Sequence, residues 1–289
     1  MNIIIGIFTS FISALAGSFR KKSIDNTTLS NPLFVLIAPI LGLFFIYSLV
    51  FINGINSNIF NEKYFIFLLI LGGLFDGFGS LIESNIIKKV KISKILPYSN
   101  FDKLFVIILG FILFYGETGY QSITTLIISI ITVVIIMLFS MDFKNIGLDR
   151  DIKLYLLVKF LYACTTIIMG YILLEYSTLD IFAVIIFIYL IFHLVVNLFL
   201  RSDFKSIFKQ NKQFYKYRLL TGILGRLGFI LSISIIKSSG VLIASLLSFI
   251  TIVFSVFSMK FILGDNPTKK QILLAFLVIC LIGIGYYFK

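Results

Sequence analysis

Charge is scarce in this chain. Asp, Glu, Lys and Arg together make up 13% of its 289 residues, against about 25% in soluble globular domains. Hydrophobic residues reach 59% and the mean hydropathy is +1.07, which excludes an ordinary soluble domain and makes the chain an integral membrane protein. Cysteine is nearly missing too. Its two copies, Cys164 and Cys280, fall inside apolar runs, so they outline no disulfide framework and say nothing about redox compartment. Chemical motifs are also missing: there is no P-loop, no HExxH, no CxxC pair, no serine nucleophile elbow and no cluster of metal ligands. A chain without a nucleotide site is not expected to drive primary active transport alone. No catalytic residue, cofactor or metal is expected, and the chain does not read as an enzyme.

What is present is a succession of apolar windows. A bilayer core of about 30 Å needs about 20 apolar residues per helix. Such windows centre on residues 3–19, 32–52, 64–86, 93–115, 119–141, 153–174, 179–200, 217–236, 240–263 and 271–288, which predicts ten spans. The connections are short and hide no soluble domain. The first window has no Lys or Arg before it and "RKK" immediately after it, so it is expected to be a retained helix rather than a cleaved signal.

The formal charge of +12 would point to nucleic acid in a soluble protein, but its distribution gives it another meaning. Of 25 Lys and Arg, 18 fall in the odd-numbered connections, including Arg20 to Lys22 and the six from Arg201 to Arg218. Outside the spans, the rest of the chain carries only Lys63, Lys237 and Lys289. The positive-inside rule therefore places the odd connections in the cytoplasm and both termini outside. No nucleic-acid partner is expected.

An internal repeat is visible. A shift of 148 residues lays 99–136 on 247–284, so that Gly116 and Glu117 meet Gly264 and Asp265, each pair closing one apolar helix before the next begins. Five spans per half is an odd number, so the second half must enter the membrane in the opposite orientation. The expected fold is an all-α membrane protein of ten transmembrane helices, built as two inverted five-helix repeats over residues 1–148 and 149–289 within one membrane domain.

The stretch "ISKILPYSNFDKLFVIILGFILFYGETGYQS" resembles the fourth-helix motif of EamA-type carriers of the drug/metabolite transporter superfamily: a Ser four residues before a Pro, an apolar run, then Gly-Glu before the next helix. "SGVLIASLLSFITIVFSVFSMKFILGDNPTKKQ" repeats it in the second half, with Asp265 for the usual Glu and Ser245 for the usual Pro. "FISALAGSFRKKSIDN" is similar to the family's first helix. Two features depart from the family: its members often carry their termini in the cytoplasm, and Glu175 stands where the sixth helix usually ends in a basic residue. The resemblance implies a carrier with a central cavity. Pro97 either kinks the fourth helix or occupies its first turn, and the resemblance favours a kink beside the cavity.

Ionisable side chains inside a span cost roughly 2.5–3.5 kcal/mol on insertion scales, so those present tend to face a bundle interior or a water-filled cavity. The expected substrate-binding residues are Asp76, Asp102, Lys159, Tyr162, His193, Asn197 and Arg226. Asp76 lies among Gly72, Gly73, Gly77 and Gly79, and Arg226 lies among Gly222, Gly225 and Gly228 in the corresponding span of the other half. The two would either form a salt bridge or hold opposite ends of a zwitterionic solute. Glu83 is expected at the interface, satisfied by Lys88 or solvent. Asp102 and Lys103 point about 100° apart on a helix, so each is expected to need its own partner. Lys159, Tyr162, Thr165 and Thr166 make a polar stripe, and His193 and Asn197 share a helix face. His193 is expected to be packed and hydrogen-bonded rather than a proton carrier, and Lys260 to snorkel from a helix end.

The expected function is a secondary, non-ATP transporter of a small organic metabolite in the cell membrane, working by alternating access between the inverted repeats. The alternative is a lipid-handling or structural membrane protein. The expected partners are the small-molecule substrate and the bilayer. Spans five and ten lack ionisable residues and are expected at the periphery, facing lipid or a second copy in a homodimer.

Overall fold

The computed structural model describes residues 2–54, 61–90, 95, 98, 99, 101–113, 127, 130–132, 134, 135, 149–264, 266, 267 and 269–287. Pro97, Gly116, Glu117, Asp265 and nearly all of the fifth window therefore lie outside the described residues. Every regular element among the described residues is helical: α1 (Asn2–Asp25), α2 (Asn31–Asn53), α3 (Lys63–Lys89), α4 (Phe101–Leu113), α5 (Arg150–Ile172), α6 (Thr178–Phe199), α7 (Lys212–Ser239), α8 (Val241–Ser248), α9 (Ile250–Ser258) and α10 (Lys269–Tyr287). A 3₁₀ turn (Phe204–Lys209) precedes α7, and a π turn (Met259–Leu263) extends α9. Six stretches among the described residues are long and apolar enough to cross a membrane: α1, α3, α5, α6, α7 and Ile243–Leu263. Asn31–Phe44 and Gln271–Gly283 are shorter apolar helical pieces. Helices of this kind satisfy most backbone groups within their own segments, as hydrocarbon demands.

Local chemistry explains the helix ends. The Asp149 carboxylate accepts the Ile152 amide at 3.0 Å and starts α5. Ser177 and Asp180 form a capping box that starts α6. Asn211 accepts the Phe214 amide at 2.7 Å and starts α7. Gly240, at φ +82, turns the chain from α7 into α8 in a conformation open to glycine. Pro39 lies inside α2 and removes one rung of its hydrogen-bond ladder.

The helices pack in a definite pairing: α1 lies on α7, α8 and α9, α2 on α6 and α7, α3 on α5 and α6, and α4 on α5 and α8. The connections sort into two groups. After α1, Thr27 donates to Gln210 Oε1 at 3.0 Å, and in the last turn of α3, Lys88 Nζ donates to the Leu29 carbonyl at 3.2 Å. The last turn of α3 and the connections following α1 and α6 thus meet at one end of the bundle. At the other end, Lys237 Nζ donates to the Tyr176 carbonyl at 3.3 Å, and Tyr176 packs edge-on against Phe65. The apolar core runs between these ends in clusters around Leu69, Ile172 and Ile181, around Phe249, Ile107 and Val278, and around Leu33, Phe34 and Phe214.

Candidate functional site

Between the two ends, polar groups gather in layers on α1, α2, α3, α5, α6 and α7. The glycines of α3 make this possible. Apolar burial gives membrane helices no drive to associate, so small residues that permit close contact decide where they meet. A Cβ placed on Gly73 would lie 2.6 Å from Ile188, one on Gly77 2.5 Å from Phe192, and one on Gly79 2.7 Å from Tyr162. Helices α5 and α6 are therefore seated directly on the α3 backbone. Thr165 Oγ1 closes the contact by donating to the Gly72 carbonyl at 3.1 Å.

One layer centres on Glu83. Lys159 Nζ donates to its Oε1 at 2.9 Å, Arg20 Nη1 donates to its Oε2 at 2.6 Å, and the Tyr162 hydroxyl donates to Oε2 at 3.1 Å. Arg20 also donates to Ser84 Oγ at 2.6 Å, and the Lys159 ammonium stands 4.7 Å from the centre of the Tyr155 ring. The expectation that Glu83 sits at the interface with Lys88 is corrected: it is 6% exposed and held by cations from two other helices. A carboxylate in this medium needs several charge-assisted donors, and local sequence gave no view of partners 63 and 76 residues away.

Two turns along α3 from Glu83 lies Asp76, whose carboxylate makes no hydrogen bond or ion pair with any described residue. The cations whose charge reaches it are Arg226 and Arg20. Arg226, on α7, likewise has no hydrogen-bond acceptor and no ion pair among the described residues. Its guanidinium stands 5.9 Å from the Phe182 ring centre and 5.7 Å from that of Tyr189, and a Cβ on Gly42 of α2 would lie 2.9 Å from its Nε. Glycine at position 42 is what lets this side chain lie against α2.

A further polar set lies toward the start of α7. His193 and Asn197 are fully buried. Ser80 Oγ and His193 Nε2 are hydrogen-bonded at 3.2 Å, and Asn197 Nδ2 donates to the carbonyls of Pro32 at 3.1 Å and His193 at 2.8 Å. Arg218 belongs to this set and was not foreseen as a site residue, because in the sequence it is one more base in a basic connection. It is 3% exposed, donates from Nη2 to the Phe34 carbonyl at 2.7 Å, and stacks 4.0 Å from the Phe34 ring centre. His193 Nδ1, Asn197 Oδ1 and Arg218 Nε have no hydrogen-bond partner among the described residues.

Asp102 and Lys103 correct another expectation. They pair with each other, Nζ to Oδ2 at 2.8 Å. The 100° between adjacent helix positions constrains Cβ directions, and the flexible lysine stem is long enough to bend back over that angle. Asp102 Oδ1 is buried without a hydrogen-bond partner among the described residues. Of the seven expected residues, Lys159 and Tyr162 thus meet at Glu83, His193 and Asn197 adjoin through one hydrogen bond, Asp76 and Arg226 lie within electrostatic reach without pairing, and Asp102 is tied to Lys103 at the first turn of α4.

The model of the EamA-like transporter family matches residues 151–286, from the start of α5 through most of α10. No curated protein matches the sequence. Among solved structures, 28 chains match. One, titled only "Crystal structure of protein", aligns with 99% of this chain and 96% of its own at a TM-score of 0.76 and 11% identity, a likeness of fold alone. The chain is an integral membrane protein whose second half, residues 151–286, is similar to the EamA-like transporter family.

Proposed function

We propose that the chain is a secondary carrier for a small organic metabolite, which rocks two inverted five-helix halves, residues 1–148 and 149–289, about a central site at Arg226 and Asp76. The observation that carries this reading is the state of Arg226. A half-buried guanidinium with no acceptor among the described residues of a membrane protein has donors available to a ligand or to water, and such groups mark substrate paths. Asp76, equally unpaired, supplies either the coupling acid or the second contact to the solute. Lys159, Tyr162, His193, Asn197 and Asp102 belong to the walls around that site.

The packing supports the repeat. Exchanging α1 with α5, α2 with α6, α3 with α7, and α4 with α8 and α9 turns the contact of α1 on α7 into that of α5 on α3. It likewise turns α2 on α7 into α6 on α3, and α1 on α9 into α5 on α4. The contacts α2 on α6 and α4 on α8 map onto themselves. Lys88 reaching the Leu29 carbonyl and Lys237 reaching the Tyr176 carbonyl are the same contact in each half, each partner within a residue of the 148-residue shift. Glu83 then acquires a role, because it ties α1 and α3 of one half to α5 of the other at the end where the odd connections meet. Releasing Lys159 would let that end open. On α10, Ile272, Leu273, Phe276 and Ile279 are exposed, as expected of a peripheral helix facing lipid or a second copy.

The test is uptake by reconstituted vesicles containing Arg226→Gln or Asp76→Asn, each shown to be folded by size exclusion. Loss of uptake in folded Arg226→Gln supports the reading. Normal uptake by that variant removes Arg226 from the site. Misfolding of both single variants with recovery in the double variant would make the two residues a structural pair.

A further inference from the structure

We propose that the cargo is an organic anion, a small carboxylate or phosphate ester of net negative charge, held first at Arg226 and passed toward the odd-connection end by way of Arg218. This rests on the carrier reading above and adds to it the class of solute and a second site.

The argument starts from the balance of embedded charge. More than one turn inside their helices, and apart from Lys21, which Asp25 pairs at 2.6 Å, the buried and half-buried described residues of α1, α3, α5 and α7 include four cations, Arg20, Lys159, Arg218 and Arg226, and two acids, Asp76 and Glu83. Asp102 and Lys103 of α4 compensate each other. Glu83 is shared by Arg20 and Lys159, so that cluster keeps one positive charge. Arg218 has no carboxylate within ion-pair distance among the described residues, and its Nε is buried without an acceptor. A guanidinium does not shed its proton to escape such a site. A membrane interior leaves uncompensated cations only where a counter-charge arrives from outside.

The two arginines are also arranged as steps. Both stand on α7 and both face α2, Arg218 at Phe34 and Arg226 at Gly42. Eight residues separate each pair, about 12 Å along a helix axis. The seam between α2 and α7 thus carries one half-buried cation near the middle of α7 and one nearer the end at which α7 begins. His193, whose Nδ1 has no hydrogen-bond partner among the described residues, lies within electrostatic reach of Arg218 at the lower step. A cationic solute would meet repulsion at both steps. A zwitterion would be satisfied at Arg226 and Asp76 but would leave Arg218 and the Glu83 cluster uncompensated. A net anion answers all of them, and a guanidinium grips carboxylate or phosphate with two parallel hydrogen bonds.

The test is accumulation by proteoliposomes offered an equimolar, isotope-labelled mixture of succinate, glycerol phosphate, inorganic phosphate, alanine, phenylalanine, choline and glucose, read by mass spectrometry against protein-free vesicles. The expected result is accumulation of succinate or glycerol phosphate alone. Folded Arg226→Gln should lose it, and Arg226→Lys, which keeps the charge and loses the fork, should weaken apparent affinity roughly tenfold or more. Arg218→Gln should slow uptake while leaving apparent affinity at Arg226 nearly unchanged. Accumulation of alanine, phenylalanine, choline or glucose in place of the acids would overturn the anion assignment and leave the carrier standing. Wild-type rates for Arg218→Gln would remove the second step, and no accumulation of any solute would defeat the carrier reading with it.

Discussion

Glu83 Oε1 and Lys159 Nζ lie 2.9 Å apart, joining helices α3 and α5 inside the membrane, and Arg20 binds the other oxygen of the same carboxylate. Removing one member of such a group leaves charges buried without a partner, a loss of about 3–5 kcal/mol in folded stability. Glu83→Gln is expected to lower the melting temperature of the detergent-solubilised protein sharply. Adding Lys159→Met to it should restore part of the loss, because the stranded ammonium is then gone. Equal melting of Glu83→Gln and wild type would show that the group contributes no stability.

Gly42 is expected to control Arg226 without touching any solute. A methyl at this position would lie 2.9 Å from Arg226 Nε and 3.4 Å from Ile186. The guanidinium, being the far end of a flexible chain, moves before the backbone does. Gly42→Ala should therefore fold normally and show weakened uptake, and Gly42→Ala with unchanged uptake would mean that the position of Arg226 against α2 does not matter.

Much of this was readable from the sequence. The glycines around Asp76 announced a close helix contact, and their neighbours are Ile188, Phe192 and Tyr162. Six of the ten apolar windows coincide with stretches long and apolar enough to cross a membrane among the described residues, because hydrocarbon thickness fixes their length. Pairings over long separations were not readable. Arg20 appeared only as topological charge and Glu83 only as part of a lysine-rich helix end, since nothing local marks a side chain whose partners arrive from 63 and 76 residues away. Arg218 was hidden for the opposite reason: five other basic residues surround it between 201 and 216, and composition cannot show which one turns inward.

Topology offers a direct check. The connection after α1 is hydrogen-bonded to Gln210 in the connection before α7, so both lie on the same side. The bias of Lys and Arg predicts that this side is the cytoplasm. A cysteine at Ser202 should react with a membrane-impermeant reagent only after the membrane is opened. Reaction in intact cells would invert the assignment and put the ends of the chain inside.

The seam of α3 gives the sharpest contrast between glycines. At Gly79 and Gly77 a methyl would press within 2.7 Å of Tyr162 and 2.5 Å of Phe192, whereas at Gly225 of α7 nothing lies within 4 Å. Overpacking at a helix contact costs about 1–3 kcal/mol, and replacing an open helical glycine by alanine gains up to about 1 kcal/mol of helix propensity. Gly79→Ala and Gly77→Ala are thus expected to lower the melting temperature and Gly225→Ala to hold or raise it. Because Tyr162 also donates to Glu83, Gly79→Ala should loosen the ionic group as well. Combining it with Glu83→Gln should then cost less than the two separate losses added together. Full additivity would show that the packing seam and the ionic group act independently.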